Sequence, residues 1–363
     1  MLRGDVIRRL NSILTHPKAT SYDQPIEIRS LEEPPDKYRN VFAVDVHRIK
    51  RSKAFRRLKH KTQIFWAPRN AHFRTRMTHT IEVADNARTI AINIGLNPDL
   101  TEAIALGHDI GHPPFGHAGE RALKSYIAEN FPGKEFNHHK ESVHILQQQE
   151  KIFIGDQVHR GLNLTSQVEN GIRYCSTESK IRPETLEGQL VAITDDITYV
   201  IHDFEEFREV KIQIPDKLIE DIYKLGRTGD ERLNQIIQDI IENTDEKEVK
   251  ISEDLHTLIK DIVTQEAEIF TYHHLWRRRE EGSKVIIYKL MDYFMHQPLE
   301  TIEEVIRGLT RLPQDPISAI DRIRDGEMER EDAFINYMAR MTDTFALDLY
   351  RFIYSPETLD YYY

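Results

Sequence analysis

PDLTEAIALGHDIGHPPFGHAGE, residues 98–120, holds a helix, the point where it has to stop, and the opening of the next. Asn97 stands before Pro98, and a proline in the first helical position behind a capping asparagine is a helix start. Leu100, Ala103, Ile104 and Gly107 then recur at the spacing of one helix face. His108 lies four residues after Ile104 and extends that apolar stripe instead of facing solvent. His112 lies four further on, so a continuing helix would put both imidazoles on one face. Pro113-Pro114 ends the helix, because neither residue offers an N–H and each restricts the residue before it. His117 opens the following helix, with Glu120 three residues on and within reach of its ring. One buried histidine is usually a structural group. Three histidines in ten residues, one beside Asp109 and one with a carboxylate partner, indicate a site.

The same logic extends in both directions. Upstream, Val83, Ala87, Ile90 and Ile94 keep steps of four, three and four, Gly95 offers a C-terminal stop, and His79 sits four before Val83 on the same stripe. Downstream, Leu186, Leu190, Ile193, Ile197, Val200 and Phe204 form a core stripe. A second line on that segment reads Asp195, Tyr199, His202 and Asp203. Packing accounts for the first line but not the second, which marks either a solvent face or a site. His79, His108, Asp109 and Asp195 together make a mixed nitrogen and oxygen ligand set for one divalent cation. Such a centre suits hydrolysis of a phosphate ester or anhydride. Its imidazoles favour manganese, cobalt or nickel and its carboxylates tolerate magnesium, so magnesium or manganese is the working expectation.

The remainder is helical in pattern. Segments near 217–242, 253–276, 284–296, 299–308, 316–324 and 330–353 show helical apolar spacing, and the best strand alternation is 211–214. An all-α protein follows, with a core over residues 41–210, a C-terminal helical region over 211–363 packed on it, and 1–40 as an N-terminal arm. A single cysteine, Cys175, excludes an internal disulfide and a Cys-rich zinc site. No apolar run spans a bilayer and the first residues lack a signal-peptide stretch, so a cytoplasmic protein is expected. The net charge of −11 argues against a surface that coats nucleic acid throughout. Against that background, residues 48–61 carry Arg48, Lys50, Arg51, Lys53, Arg56, Arg57, Lys59 and Lys61 with no acid. That run is either a solvated helix face or a surface for polyphosphate or a nucleic-acid strand.

Several blocks of this sequence resemble the bacterial deoxyguanosine triphosphate triphosphohydrolases of the HD superfamily. They are Asn70 through Ala84 (NAHFRTRMTHTIEVA), Glu102 through Leu106, the His108-to-Glu120 loop, Ser52 through Gln63, Phe136-Asn137-His138, Asp195 through Tyr199, and Tyr337 through Asp343. The resemblance implies an HD-domain helical bundle that cuts a deoxynucleoside triphosphate to deoxynucleoside and inorganic triphosphate. It implies His79, His108, Asp109 and Asp195 as metal ligands, His117 as the acid for the leaving 5′-oxygen, and Glu120 as its orienting partner. His112 and His138 would contact the phosphates or support the acid, and Arg76 would bind phosphate. Tyr199 would lie against the deoxyribose, with Gln63 and Asp203 at its 3′-hydroxyl. It further implies a homo-hexamer or tetramer, with a regulatory nucleotide or single-stranded DNA at the basic run. The chain departs from the pattern at Asn137 and His139, at Arg340 and at Thr344. The alternatives are another HD-type phosphomonoesterase or phosphodiesterase, or a non-catalytic nucleotide- or DNA-binding protein.

Overall fold

Asn97 caps the helix as its position requires. Its side chain accepts hydrogen bonds from the main-chain N–H groups of Asp99 and Leu100, both at 3.1 Å, and starts α5 (Pro98–Gly107). The structure, a computed structural model, describes residues 3–23, 28–64, 72–177, 180–209, 211–309 and 317–355. Asn70 and Ala71, which open the first family-like block, lie outside the described residues.

Before α5 come α1 (Arg3–Asn11), α2 (Val41–Arg51), α3 (Lys53–Arg57) and α4 (Arg76–Ile94). A capping box of Thr75 and Thr78 opens α4, and Gly95 at φ +76° closes it where the sequence placed its stop. After α5 follow α6 (Gly116–Asn130), α7 (His138–His144), α8 (Ser166–Arg173) and α9 (Leu186–Glu209). Helices α4, α5 and α9 pack on one another, with α2 and α8 also against α5. The apolar stripes face inward: Val83, Ala87, Ile90, Leu100, Ala103, Ile104, Leu186, Leu190, Ile197, Val200 and Phe204 are buried.

The C-terminal half is α10 (Asp216–Leu225), α11 (Gly229–Asn243), α12 (Glu253–Tyr272), α13 (His274–His296), α14 (Leu299–Gly308), α15 (Ile317–Arg324), α16 (Arg330–Arg340) and α17 (Asp343–Tyr354). The fold is all-α. Two expected long helices are in fact pairs. The 217–242 stretch breaks at Gly226, whose φ of +146° no helix accommodates, and a Thr228–Glu231 capping box restarts it as α11. The 330–353 stretch breaks at Met341-Thr342, where Thr342 is extended and its side chain accepts from the Phe345 N–H. Periodicity hid this break because Met341 is itself fully buried, so the apolar pattern runs through the corner.

Residues 211–214 are not a strand. Lys211 has φ +55°, and no neighbouring segment among the described residues offers a ladder. The sheet instead is a short exposed hairpin of β1 (Lys151–Ile154) and β2 (Gln157–Arg160).

Three apolar clusters form the interior. One joins α2, α4, α5 and α8, one joins α9 to α10, α11 and α12, and one joins α6 to α13–α17. The last two tie the C-terminal helices to the first half. The N-terminal arm packs Ile7, Leu10, Leu14 and Tyr22 on the first cluster and is pinned by a buried ion pair. Asp45 of α2 is fully buried, pairs with Arg29 Nη1 at 2.6 Å, and accepts from Thr165 N at 3.0 Å and Thr165 Oγ1 at 2.8 Å. Removing one partner of such a pair strands the other charge, so Asp45→Ala should cost about 3–5 kcal/mol in denaturant unfolding. A loss below about 1 kcal/mol, the scale of an exposed pair, would show that the arm does not depend on it. Among the described residues no helix is long and apolar enough to cross a membrane.

Candidate active site

His79 sits in the first turn of α4, His108 and Asp109 just past the end of α5, and Asp195 in the middle of α9. Packing of the three helices brings their donor atoms together. His79 Nε2 lies 2.9 Å from Asp195 Oδ1, and His108 Nε2 lies 3.3 Å from the same oxygen and 3.6 Å from Asp109 Oδ1. The other ring nitrogens are occupied. His108 Nδ1 bonds the Ala105 carbonyl at 2.6 Å, and His79 Nδ1 shares a hydrogen bond with His202 Nδ1 at 3.3 Å. His202 Nε2 in turn contacts the Glu82 carboxylate. Both metal-type histidines therefore present Nε2 to one point, each backed by a fixed partner.

His108 Nε2 is buried and makes no hydrogen bond, although two carboxylate oxygens are near. A ring nitrogen aimed between carboxylates instead of at one of them fits a shared cation. Electrostatics agree: burial would lower the His108 pKa, yet Asp109 and Asp195 outweigh it and raise it to about 9. Among the described residues, His79, His108 and Asp109 are one of three groups whose donor atoms lie close enough together to hold an ion, the others being Asp109, His112 and His138, and His112, His117 and Glu120.

The turn that carries these groups leaves the helix earlier than the proline pair requires. Helix α5 ends at Gly107, and the chain continues through turn bonds from Ile110 N to Gly107 O and from His112 N to Asp109 O. Docking on α7 explains the exit. Gly111 N donates to Ser142 Oγ at 2.8 Å, Ser142 Oγ donates to His108 O at 2.7 Å, and a Cβ on Gly111 would lie 2.2 Å from His138 O. His112 consequently does not share a helix face with His108; its Nδ1 lies 2.9 Å from Asp109 Oδ1. On the other side of Asp109, Arg76 Nη1 donates to Oδ2 at 2.7 Å, while Arg76 Nε and Nη2 are buried without a hydrogen-bond partner among the described residues.

A second cluster adjoins the first. Glu120 is buried, with His138 Nδ1 at 2.8 Å, Lys124 Nζ at 2.9 Å, His112 Nε2 at 3.6 Å and His117 Nδ1 at 3.8 Å. The sequence paired Glu120 with His117; its shortest contact is to His138, eighteen residues away. The rings of His112 and His138 are 3.7 Å apart. His117 stands apart by exposure: its side chain is 41% accessible against 2% for His112. Tyr199 connects the clusters, its ring centroid 5.6 Å from His117 and 6.3 Å from His79. Gln63 is buried and its Oε1 has no hydrogen-bond partner among the described residues. Asp203 falls within α9, and its side chain lies outside the described residues.

The HD domain family model matches residues 76–199, from the arginine beside Asp109 to the tyrosine between the clusters. The deoxyguanosinetriphosphate triphosphohydrolase-like protein of Caldanaerobacter subterraneus subsp. tengcongensis is 37% identical over 335 residues, covering 90% of this chain and 89% of that protein. The proteins of the same name from Clostridium tetani (33% identical, 92% and 91% covered) and Leptospira interrogans (34%, 89% and 92%) are similar along nearly their whole lengths. The chain belongs to the deoxyguanosinetriphosphate triphosphohydrolase-like family of HD-domain proteins.

In this family member, two features of the site escaped the sequence reading. Arg279 of α13 stacks over Trp276 and donates to the Ile64 carbonyl; burial lowers its pKa to about 10, with the Asp343 and Glu206 carboxylates as its anionic neighbours. Within the run Arg277-Arg278-Arg279 nothing local separates it from a solvated cation. The Glu82–His202 backing of His79 was legible only as a histidine on the second line of α9.

The basic run is not one surface. Arg48 pairs with Glu33 at 2.6 Å, Arg57 is half-buried beside Glu150, Lys61 is buried, and Lys50 meets Glu102. Arg51, Lys53, Arg56 and Lys59 remain exposed.

Proposed function

We propose that this chain hydrolyses deoxynucleoside triphosphates, dGTP among them, to deoxynucleoside and inorganic triphosphate. One observation carries this reading: in a member of the family, buried His79, His108 and Asp109 meet half-buried Asp195 beside a solvent-accessible histidine with a carboxylate nearby, and Tyr199 lies between them. One divalent ion, magnesium or manganese, would be held by those four residues, with cobalt or nickel as further possibilities. Bound there, it supplies positive charge against the phosphate and a water that ionises readily.

The protein's own groups do the rest. Arg76 is fixed by Asp109 and keeps Nε and Nη2 available for phosphate oxygens. When water adds to the α-phosphorus and the phosphorus–oxygen bond to C5′ breaks, His117 gives its proton to the departing 5′-oxygen. Glu120 stabilises the charged form of that ring and fixes His138, while His112 and His138 face the phosphates. Tyr199 packs against the sugar where a 2′-hydroxyl would sit, and Gln63 and Asp203 hold the 3′-hydroxyl. Residues 41–210 serve as the hydrolytic core and 211–363 as its supporting region, in a homo-hexamer or tetramer of the cytoplasm. The exposed Arg51, Lys53, Arg56 and Lys59 are the place for a regulatory nucleotide or single-stranded DNA.

Phosphorus NMR of the products from each of the four deoxynucleoside triphosphates, with magnesium or manganese, tests the reading. Intact inorganic triphosphate is the expected product. Orthophosphate or pyrophosphate would point to another HD phosphohydrolase, and silence with every substrate would favour a binding protein.

A further inference from the structure

Lys61 and Asp343 are each 2% exposed, and both charges end on main-chain atoms of the loops that carry the site. Lys61 Nζ donates to Ala339 O at 2.7 Å, to Ile110 O at 3.4 Å and to His112 O. Asp343 Oδ2 accepts from Thr62 N at 3.0 Å and Oδ1 from Phe115 N at 2.8 Å. Ala339 lies in the last turn of α16 and Asp343 opens α17. The ammonium thus meets a helix C-terminus, where main-chain carbonyls lack intrahelical donors, and the carboxylate gathers two N–H groups. The corner between α16 and α17, far away in sequence, clasps residues 61–62 and 110–115 together.

The clasped segments need outside help. Pro113 and Pro114 have no N–H to donate, and Phe115 and Gly116 follow at φ +70° and +62°, a left-handed pair that is unfavourable for phenylalanine. A loop of that kind has few bonds of its own and is held by its neighbours. What hangs on it is the second cluster: His112 precedes the prolines and His117 follows Gly116. On the other side, Thr62 precedes Gln63, and Lys61 O accepts from Arg76 N at 3.0 Å. A single corner therefore sets the main chain beside His112, His117, Gln63 and Arg76.

We propose that Lys61 and Asp343 are positioning residues, which hold the phosphate-side histidines and the Gln63 segment in register without touching substrate. The inference rests on the triphosphohydrolase reading for its consequence in catalysis, though not for its structural content. Among the described residues neither Lys61 nor Asp343 hydrogen-bonds a side chain of the metal cluster, and the links to it are indirect, through Ile110 beside Asp109 and through Arg76, so manganese affinity is measured apart from loop placement.

The test compares wild type with Asp343→Asn, Asp343→Glu and Lys61→Met. Asparagine keeps one acceptor and turns an amide N–H₂ toward a main-chain donor, whereas glutamate keeps both oxygens. The full-length proteins are assayed for kcat and KM on the deoxynucleoside triphosphates, for manganese affinity by titration, and for hydrogen exchange by mass spectrometry. For Asp343→Asn and Lys61→Met, kcat should fall about 10²-fold, the scale of an ångström-sized misplacement, with KM and manganese affinity within about threefold of wild type. Asp343→Glu should recover part of that loss, and exchange should quicken in 61–64 and 110–117 while α4 stays protected. An unchanged kcat in folded variants, or exchange that quickens across the whole chain with kcat per folded molecule intact, would make the pair structural only and overturn the proposal. If Asp343→Asn does not fold, Lys61→Met and Asp343→Glu decide by the same criteria. Wild-type protein that releases no triphosphate would sink the functional reading alone, because the exchange pattern still decides whether the two residues hold the loops.

Discussion

Replacing Asp195 with asparagine should abolish metal binding and lower triphosphate release by about 10³-fold or more. The magnitude follows from the several kcal/mol that a catalytic ion contributes, at about 1.4 kcal/mol per tenfold. Asp195 Oδ1 is the atom that both imidazoles approach, His79 Nε2 at 2.9 Å and His108 Nε2 at 3.3 Å. An amide there keeps the shape and removes the charge, leaving two neutral nitrogens and Asp109, which Arg76 already engages. The fold should survive, since His108 without the Asp195 charge need only lose its proton. A thermal scan separates the two effects: manganese should raise the melting temperature of wild type and not of Asp195→Asn. A variant that still bound manganese tightly and released triphosphate would place the ion elsewhere.

The second large effect belongs to His117. His117→Ala should reduce kcat by about 10²–10⁴-fold, the range of a lost general acid, with manganese affinity unchanged. His117 is the accessible member of the histidine cluster, and among the described residues the carboxylate near its Nδ1 is Glu120, at 3.8 Å. A leaving group that departs without a proton discriminates the role. On a nitrophenyl phosphodiester, where the phenolate leaves unaided, the variant should lose far less than on a deoxynucleoside triphosphate. Equal losses on both substrates would assign His117 to phosphate binding instead of proton donation.

These expectations lean unequally on sequence and structure. The helical faces were legible because burial follows a 3.6-residue period, and His79 and His108 could be placed on apolar stripes four residues from Val83 and Ile104. Asp195 was readable as the polar line on a helix whose other line was fully explained by packing. Helix breaks were less legible. Met341 carries the apolar period through a corner, and only the extended Thr342 reveals it.

The sequence by itself determined an all-helical chain with His79 and His108 on inward faces, Asp195 on a polar line of its helix, and a proline pair that forces a loop between histidines. Local periodicity encodes which way a side chain points, and for those residues pointing was enough. The tertiary structure alone decided which groups meet. It sent α5 out of its helix at Gly107, gave Glu120 to His138 at 2.8 Å, and brought Asp343 of the last helix to Thr62 and Phe115. It also divided the like-charged run, leaving Arg51 and Lys59 in solvent and burying Lys61 among three carbonyls. Charge type is written residue by residue, but burial and partnership are properties of whatever packs over a residue, and that comes from segments up to 281 positions away.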